Sequence, residues 1–350
     1  MIDWGVARST ATTLVRPGPD LDPAEADAVV AELREAAARS EGPVREFSDL
    51  HAPATVQAQA PVLVVDRARW AEANLATFRT IMDPVVAKLE AERPPRGLTR
   101  AIGSRVSGAE VGGLVALLSG KVLGQFDPFW TGPGGEGGRL LLVAPNIVQV
   151  ERTLGVDPHD FRLWVCLHEE THRVQFTAVP WMRGHLRSLV DELTSATDLD
   201  SEALQRFLTE GLPELVKVLR GSSNASLAEL FQNDRQRELV DRITGVMSLL
   251  EGHADVVMDG VGPEIVPSVA EIRRKFDQRR KGGKGLDALV RRLLGLESKM
   301  RQYRDGAAFV RAVVERVDMD GFNAVWERPE NLPDRAEILD PAAWVARVHG

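Results

Sequence analysis

Residues 157–180 read DPHDFRLWVCLHEETHRVQFTAVP. Within them His168, Glu169 and His172 make the pattern H-E-x-x-H. Histidines four apart project from one helix face and can share a tetrahedral metal ion through their imidazole nitrogens. Glu169 stands at the edge of that face, where it can reach a water on the metal without being a ligand. Zn2+ suits this donor set and lowers the pKa of its water towards roughly 7. Glu169 then takes the proton as general base and returns it to a leaving group. The chemistry on offer is hydrolysis by an activated water.

The two histidines need a helix, and the flanking residues supply one. Asp157 suits the N-cap, Pro158 the first helical position, and Pro180 marks the end. Phe161, Trp164 and Val165 lead into His168 and His172 along one stripe, so the imidazoles face the interior or a groove. A catalytic zinc takes a third protein ligand and keeps one open position. The longer pattern with a third histidine is excluded: Gln175 and Ala178 stand where it needs Gly and His.

The third ligand is sought in ITGVMSLLEGHADVVMDG, a strongly apolar helical segment carrying Glu251 and Asp255 four apart. Like charges at that spacing on a mostly buried helix are unfavourable without compensation. A metal and its histidines would compensate, with Glu251 ligating and Asp255 accepting from the second nitrogen of a ligand histidine. Gly252 would ease close helix approach. His253 is a competing ligand, although it points about 200° away from Glu251 around the helix. A narrow solvated acidic strip is the alternative to all of this.

The elements around these residues predict an α+β protein with more helix than strand. Residues 1–20 read as an extended arm. Asp22-Pro23 opens a helix that fades near Ser40. Val62 to Val65 reads as a buried strand, followed by helices around Arg67 to Leu89 and Gly108 to Leu118. Val122 to Trp130 and Leu140 to Val143 form a strand pair across the glycine-rich TGPGGEGG. Asn146 to Leu154 reads as helix, as does most of the chain from Asp157 on. No linker divides it. The reading is one domain over 1–350: the arm, a sheet with the site helix over 60–180, and a helical part over 181–350 carrying the third ligand.

Composition limits the partners. The 350 residues carry a net charge of −8, which argues against nucleic acid. No stretch reaches 18 apolar residues and no secretory signal is visible, so no membrane partner and a cytoplasmic location are expected. The single cysteine, Cys166, rules out an internal disulfide and reads as an inert buried thiol. The sequence does not set an oligomeric state.

HEETHRVQF, LLEGHADVVMD and the later GLESKMRQYRDGAAFV resemble the zincin-like metallopeptidase family often labelled as associated with biosynthesis of the actinobacterial deazaflavin coenzyme. The resemblance runs over nearly the whole chain. It implies a small β-sheet beside the H-E-x-x-H helix, Zn2+ as cofactor, and a peptide or protein substrate. The E-x-x-x-D arrangement is similar to the gluzincin pattern, which implies Glu251 as ligand and Asp255 as its supporter. The chain departs in spacing, with Glu251 79 residues beyond His172.

Further features complete the expectations. Leu140 to Val143 could bind an extended peptide by strand addition. Tyr303, the only tyrosine, could donate to an oxyanion, as could His185 or His253. Arg273 to Gly285 is basic and reads as a solvated loop, or as a grip on a phosphorylated intermediate. Two rival functions follow: a non-catalytic metalloprotein scaffold, and an accessory protein in coenzyme assembly.

Overall fold

A continuous apolar run on the central strand sets the layering. The computed structural model describes residues 2–92, 98–132, 137–196, 234–282 and 296–350. Its sheet has three strands, β1 (Val62–Val65), β2 (Gly124–Asp127) and β3 (Arg139–Val143), in the order β1-β3-β2. β3 pairs parallel with β1 and antiparallel with β2. Leu140 to Val143 are all essentially fully buried, so both faces of β3 are covered. Leu141 and Val143 pack with Trp70, Leu75 and Val111 on one side; Leu142 joins the main core on the other. Val62 to Val65, expected to be buried, is instead an edge strand with Leu63 exposed. Periodicity alone does not separate an apolar edge from an interior strand.

The helices form around this sheet. They are α1 (Trp4–Leu14), α2 (Pro23–Ser48), α3 (Ala54–Ala58), α4 (Arg67–Glu92), α5 (Leu98–Ser119), α6 (Ala144–Leu154), α7 (Pro158–Ala178) and α8 (Met182–Ala196). α9 (Asp234–Ile265), α10 (Val269–Gly282), α11 (Leu296–Asn323), α12 (Arg335–Leu339) and α13 (Pro341–His349) follow. The protein is thus α+β and mostly helical. Among the described residues no helix is long and apolar enough to cross a membrane.

Two local expectations need correction. Residues 1–20 are not an extended arm throughout, because Trp4–Leu14 is helical. Asp3 caps it by accepting from the Val6 amide, and Ala7 and Ala11 are fully buried. Alanines carry little periodic signal, which hid this helix. The chain after it is held by Arg67, which donates to the carbonyls of Arg16 and Pro17. The second correction concerns α2. It opens on Asp22 as expected, where a capping box with Glu25 closes the first turn, yet continues through Pro43 to Ser48. Burial of Val44 and Ser48 outweighs the missing proline N–H.

α7 is the central helix. Asp157 accepts from the Asp160 amide at 3.0 Å, and the helix stops at Ala178, ahead of Pro180. α9 lies against it, and α11 lies against α9 at a reciprocal glycine contact. A Cβ on Gly252 would overlap the Gly306 backbone, and one on Gly306 would overlap the Ser248 carbonyl. The close approach expected of Gly252 is present, one residue from Glu251. Gly252→Ala should therefore lower the unfolding free energy by about 1–3 kcal/mol by overpacking. Gly103→Ala, in α5 with open space around its Cβ, should raise it by about 0.4–1 kcal/mol. Chemical denaturation of the two variants checks both signs.

Candidate metal centre

The spacing of four on α7 brings His168 and His172 onto one face, with their Nε2 atoms 3.3 Å apart. α9 delivers Glu251 to the same point. Its Oε2 lies 3.5 Å from His168 Nε2 and its Oε1 3.7 Å from His172 Nε2. Among the described residues these three side chains form a group able to hold a metal ion, with ligand atoms all within 4.8 Å of one another. Tetrahedral bonds of about 2.1 Å put neighbouring ligand atoms about 3.4 Å apart. The His168–His172 separation of 3.3 Å matches that spacing, and the two Glu251 oxygens approach the imidazoles at 3.5 and 3.7 Å, one oxygen to each. Two nitrogens and a carboxylate converging in this way present their lone pairs to one shared point, which a cation would satisfy.

Glu169 sits beside this cluster and is only 6% exposed. Burial, and secondarily the Glu251 carboxylate, raises its carboxyl well above the usual carboxylate range. A cation held by the three ligands would oppose the second effect and favour the ionised form. Over it passes β2. An added Cβ at Gly124 would lie 2.5 Å from Glu169 Cδ and 2.8 Å from its Oε1. Glycine there lets the strand cross directly above the acid.

The other expected site residues are arranged differently. Asp255 does not reach a ligand histidine. Its carboxylate faces Arg273 at 3.4 Å and Arg311 at 4.0 Å, beside Asp259. The i,i+4 spacing puts it on the Glu251 side of α9, but one turn further along it meets arginines arriving from α10 and α11. The second nitrogens of the histidines have other neighbours: His168 Nδ1 lies 3.3 Å from Met258 Sδ, and His172 Nδ1 lies 3.0 Å from Gln175 Oε1. His253 is fully buried, 2.9 Å from Gln175 and stacked on Phe322, not in the ligand group. Burial pushes it down to about 3, so it is neutral.

Tyr303 falls within α11, and its side chain lies outside the described residues. His185 lines a separate cavity of about 480 Å³ with Arg242, Asp241 and Pro329. The basic segment is not a loop up to Gly282, because α10 runs through it. Arg273 is paired with Asp255 and Asp259, and Lys275 with Glu271. The segment's residues from 283 lie outside the described residues. Leu140 to Val143 is no edge for strand addition, since β3 is paired on both sides. β2 is the outer strand beside Glu169. Cys166 is buried and its thiol is pushed up by burial, in keeping with an inert role.

Four residues escaped the sequence reading. Gly124 gave no signal, because its role depends on a tertiary crossing. Glu170 and Arg173, three apart on α7, form a buried ion pair on the face away from the metal ligands. Gln175 stands three residues after His172, a spacing that places both on one face and could have suggested their contact.

An H-E-x-x-H helix under a small sheet, met by a glutamate from a later helix, defines the zincin class of proteins. The chain belongs to the zincin-like metallopeptidase family, whose model matches residues 2–345. Among solved structures it is similar to one from Chloroflexus aurantiacus described as "a putative hydrolase with a novel fold". The TM-score is 0.71 at 32% identity, covering 100% of this chain and 99% of the other. No curated protein matches. Family and neighbour together support a hydrolase, and the family implies a metal, usually zinc.

Gly124→Ala tests the contact between strand and acid. The added methyl should displace the Glu169 carboxylate and cost about 1–3 kcal/mol of stability. His168, His172 and Glu251 should keep their mutual distances. A crystal structure of the variant, with a denaturation curve, reads both.

Proposed function

We propose that the protein is a zinc-dependent hydrolase that cleaves peptide bonds. The carrying observation is the convergence of His168, His172 and Glu251 at ligand spacing, with buried Glu169 alongside. His168, His172 and Glu251 would hold the ion. Zinc, when bound, supplies the Lewis acidity that brings the pKa of water down towards about 7. Glu169 takes the proton from the attacking water at its carboxylate and passes it to the departing amine. Burial of Glu169 keeps bulk water from competing for that proton. Tyr303 would donate to the developing oxyanion.

An extended substrate segment would add to β2 rather than β3. The Val143 amide bonds to the Leu123 carbonyl, and antiparallel pairs alternate. The backbone groups of Gly124 and Phe126 therefore turn to the outer edge, next to Glu169. Main-chain bonding along that edge gives affinity with little demand on side chains, which suits a peptide.

Purified protein should carry one zinc per chain. Glu169→Gln should keep the metal and lose peptide hydrolysis by roughly 10²–10⁴-fold. Glu251→Ala should lose zinc, whereas Asp255→Asn should bind it as the wild type does. Metal analysis and turnover of a peptide library measure these. Absence of zinc from the wild type, or full activity in Glu169→Gln, would overturn the proposal.

Tyr303→Phe reads the oxyanion role separately. It should lower kcat with KM little changed, because the donor acts on charge that develops in the transition state. Unchanged kcat would remove Tyr303 from the mechanism.

A further inference from the structure

Gln175 is fully buried one turn beyond His172, and its amide touches three groups. Nε2 donates to the Leu250 carbonyl at 2.9 Å and lies 2.9 Å from His253 Nδ1. Oε1 lies 3.0 Å from His172 Nδ1. A primary amide has two N–H donors at one end and one acceptor oxygen at the other. Which end is which follows from the network. The Leu250 carbonyl can only accept, so the NH2 end must face α9. Its two hydrogens then go to Leu250 and to His253 Nδ1. The oxygen is left opposite His172 Nδ1 and can only accept there. His172 must therefore carry its ring proton on Nδ1, leaving the Nε2 lone pair aimed at His168 and Glu251.

His253 makes the arrangement stricter. Its Nδ1 accepts, so its proton sits on Nε2, which is buried and finds no partner among the described residues. A core selected only for stability would place a nonpolar ring between Phe322 and Trp326. The histidine instead gives Gln175 a second acceptor, so that amide rotation would leave two bonds unmade.

We infer that Gln175 is a positioning residue that fixes the metal-binding tautomer of His172 and, through Leu250, the turn of α9 from which Glu251 projects. One side chain thereby sets two of the three metal ligands from behind. The inference rests on His172 being a ligand, the reading given above.

The test uses metal-free wild-type protein with 15N-labelled histidine, its seven imidazoles resolved by long-range NMR correlations and His172 assigned with His172→Gln. The expected result is a proton on His172 Nδ1 before any metal is added. Gln175→Leu should shift His172 towards the Nε2–H form and weaken zinc binding, measured by chelator competition, by roughly 10–100-fold. His253→Phe should leave zinc affinity close to wild type, because Leu250 still anchors the amide. A proton on Nε2 in the wild type, or wild-type zinc affinity in Gln175→Leu, overturns the inference. So does an equal loss in both variants, which would mark a general packing effect. Should Gln175→Leu not fold, the wild-type tautomer decides alone. A wild type that binds no zinc removes the hydrolase proposal and this inference together; zinc binding with the wrong tautomer removes only this one.

Discussion

Two imidazole nitrogens and a carboxylate, all electron-rich, are held within 4.8 Å of one another between α7 and α9. Without a cation their lone pairs would oppose one another, and folding would have to bring them together against that opposition. Everything nearby can be understood as the means of doing so. α7 supplies two donors from one face at no cost in backbone geometry. The third must come from another element, so the relative placement of α7 and α9 carries the centre. Gln175 crosses that interface to Leu250, and the Gly252–Gly306 contact sets how close α11 comes to the back of α9.

The acid follows a separate logic. Glu169 is not one of the grouped ligands; its carboxyl lies against β2 at a point where only a glycine leaves room. Its burial and its proximity to Glu251 both favour the protonated form, and a cation would favour the ionised one. The protonation of the acid and the occupancy of the metal position are thus linked through one short stretch of space. β2 is also the outer strand of the three, so the edge it does not share with β3 lies beside the acid. Acid and strand edge lie together because the glycine allows it.

Much of the centre was legible in the sequence because helical spacing is local. H-E-x-x-H fixes its own geometry, and a glutamate in an otherwise apolar helix announces that something must compensate it. Asp255 shows where the reasoning stops. It satisfies the same spacing rule as Glu251, but Arg273 and Arg311 arrive from α10 and α11, and no spacing within α9 foretells them. The edge position of Val62 to Val65 escaped for the same reason. β3 is central only because β1 pairs with it across the intervening α4 and α5. The α1 helix was missed because its buried face is built of alanines. What periodicity reports is which face is apolar, not what comes to cover it.

Rotation of α7 about its own axis is the remaining freedom, since one residue of slip turns the histidines by 100°. Apolar packing resists such a slip poorly, because α7 is buried on nearly every side. Buried ions resist it well. Arg162, before the motif, is held by Glu151 of α6 and Glu32 of α2; Arg173, just after it, faces Glu41 of α2 at 3.6 Å and donates to the Ala60 carbonyl. The Glu170–Arg173 pair, internal to α7, is a poor source of stability. Burial raises the Glu170 carboxyl from 4.5 to about 7 despite Arg173. The folded state therefore holds that proton more tightly than the unfolded chain does. The contribution of Glu170 is fully present below 4.5 and is lost as pH rises to about 7. Contacts to α2, α6 and the Ala60 carbonyl flank His168 and His172 on both sides and so fix the rotational register of α7. Misaligned by one residue, Arg162 and Arg173 would be drawn away from their partners on α2 and α6 and from the Ala60 carbonyl, leaving buried charge uncompensated.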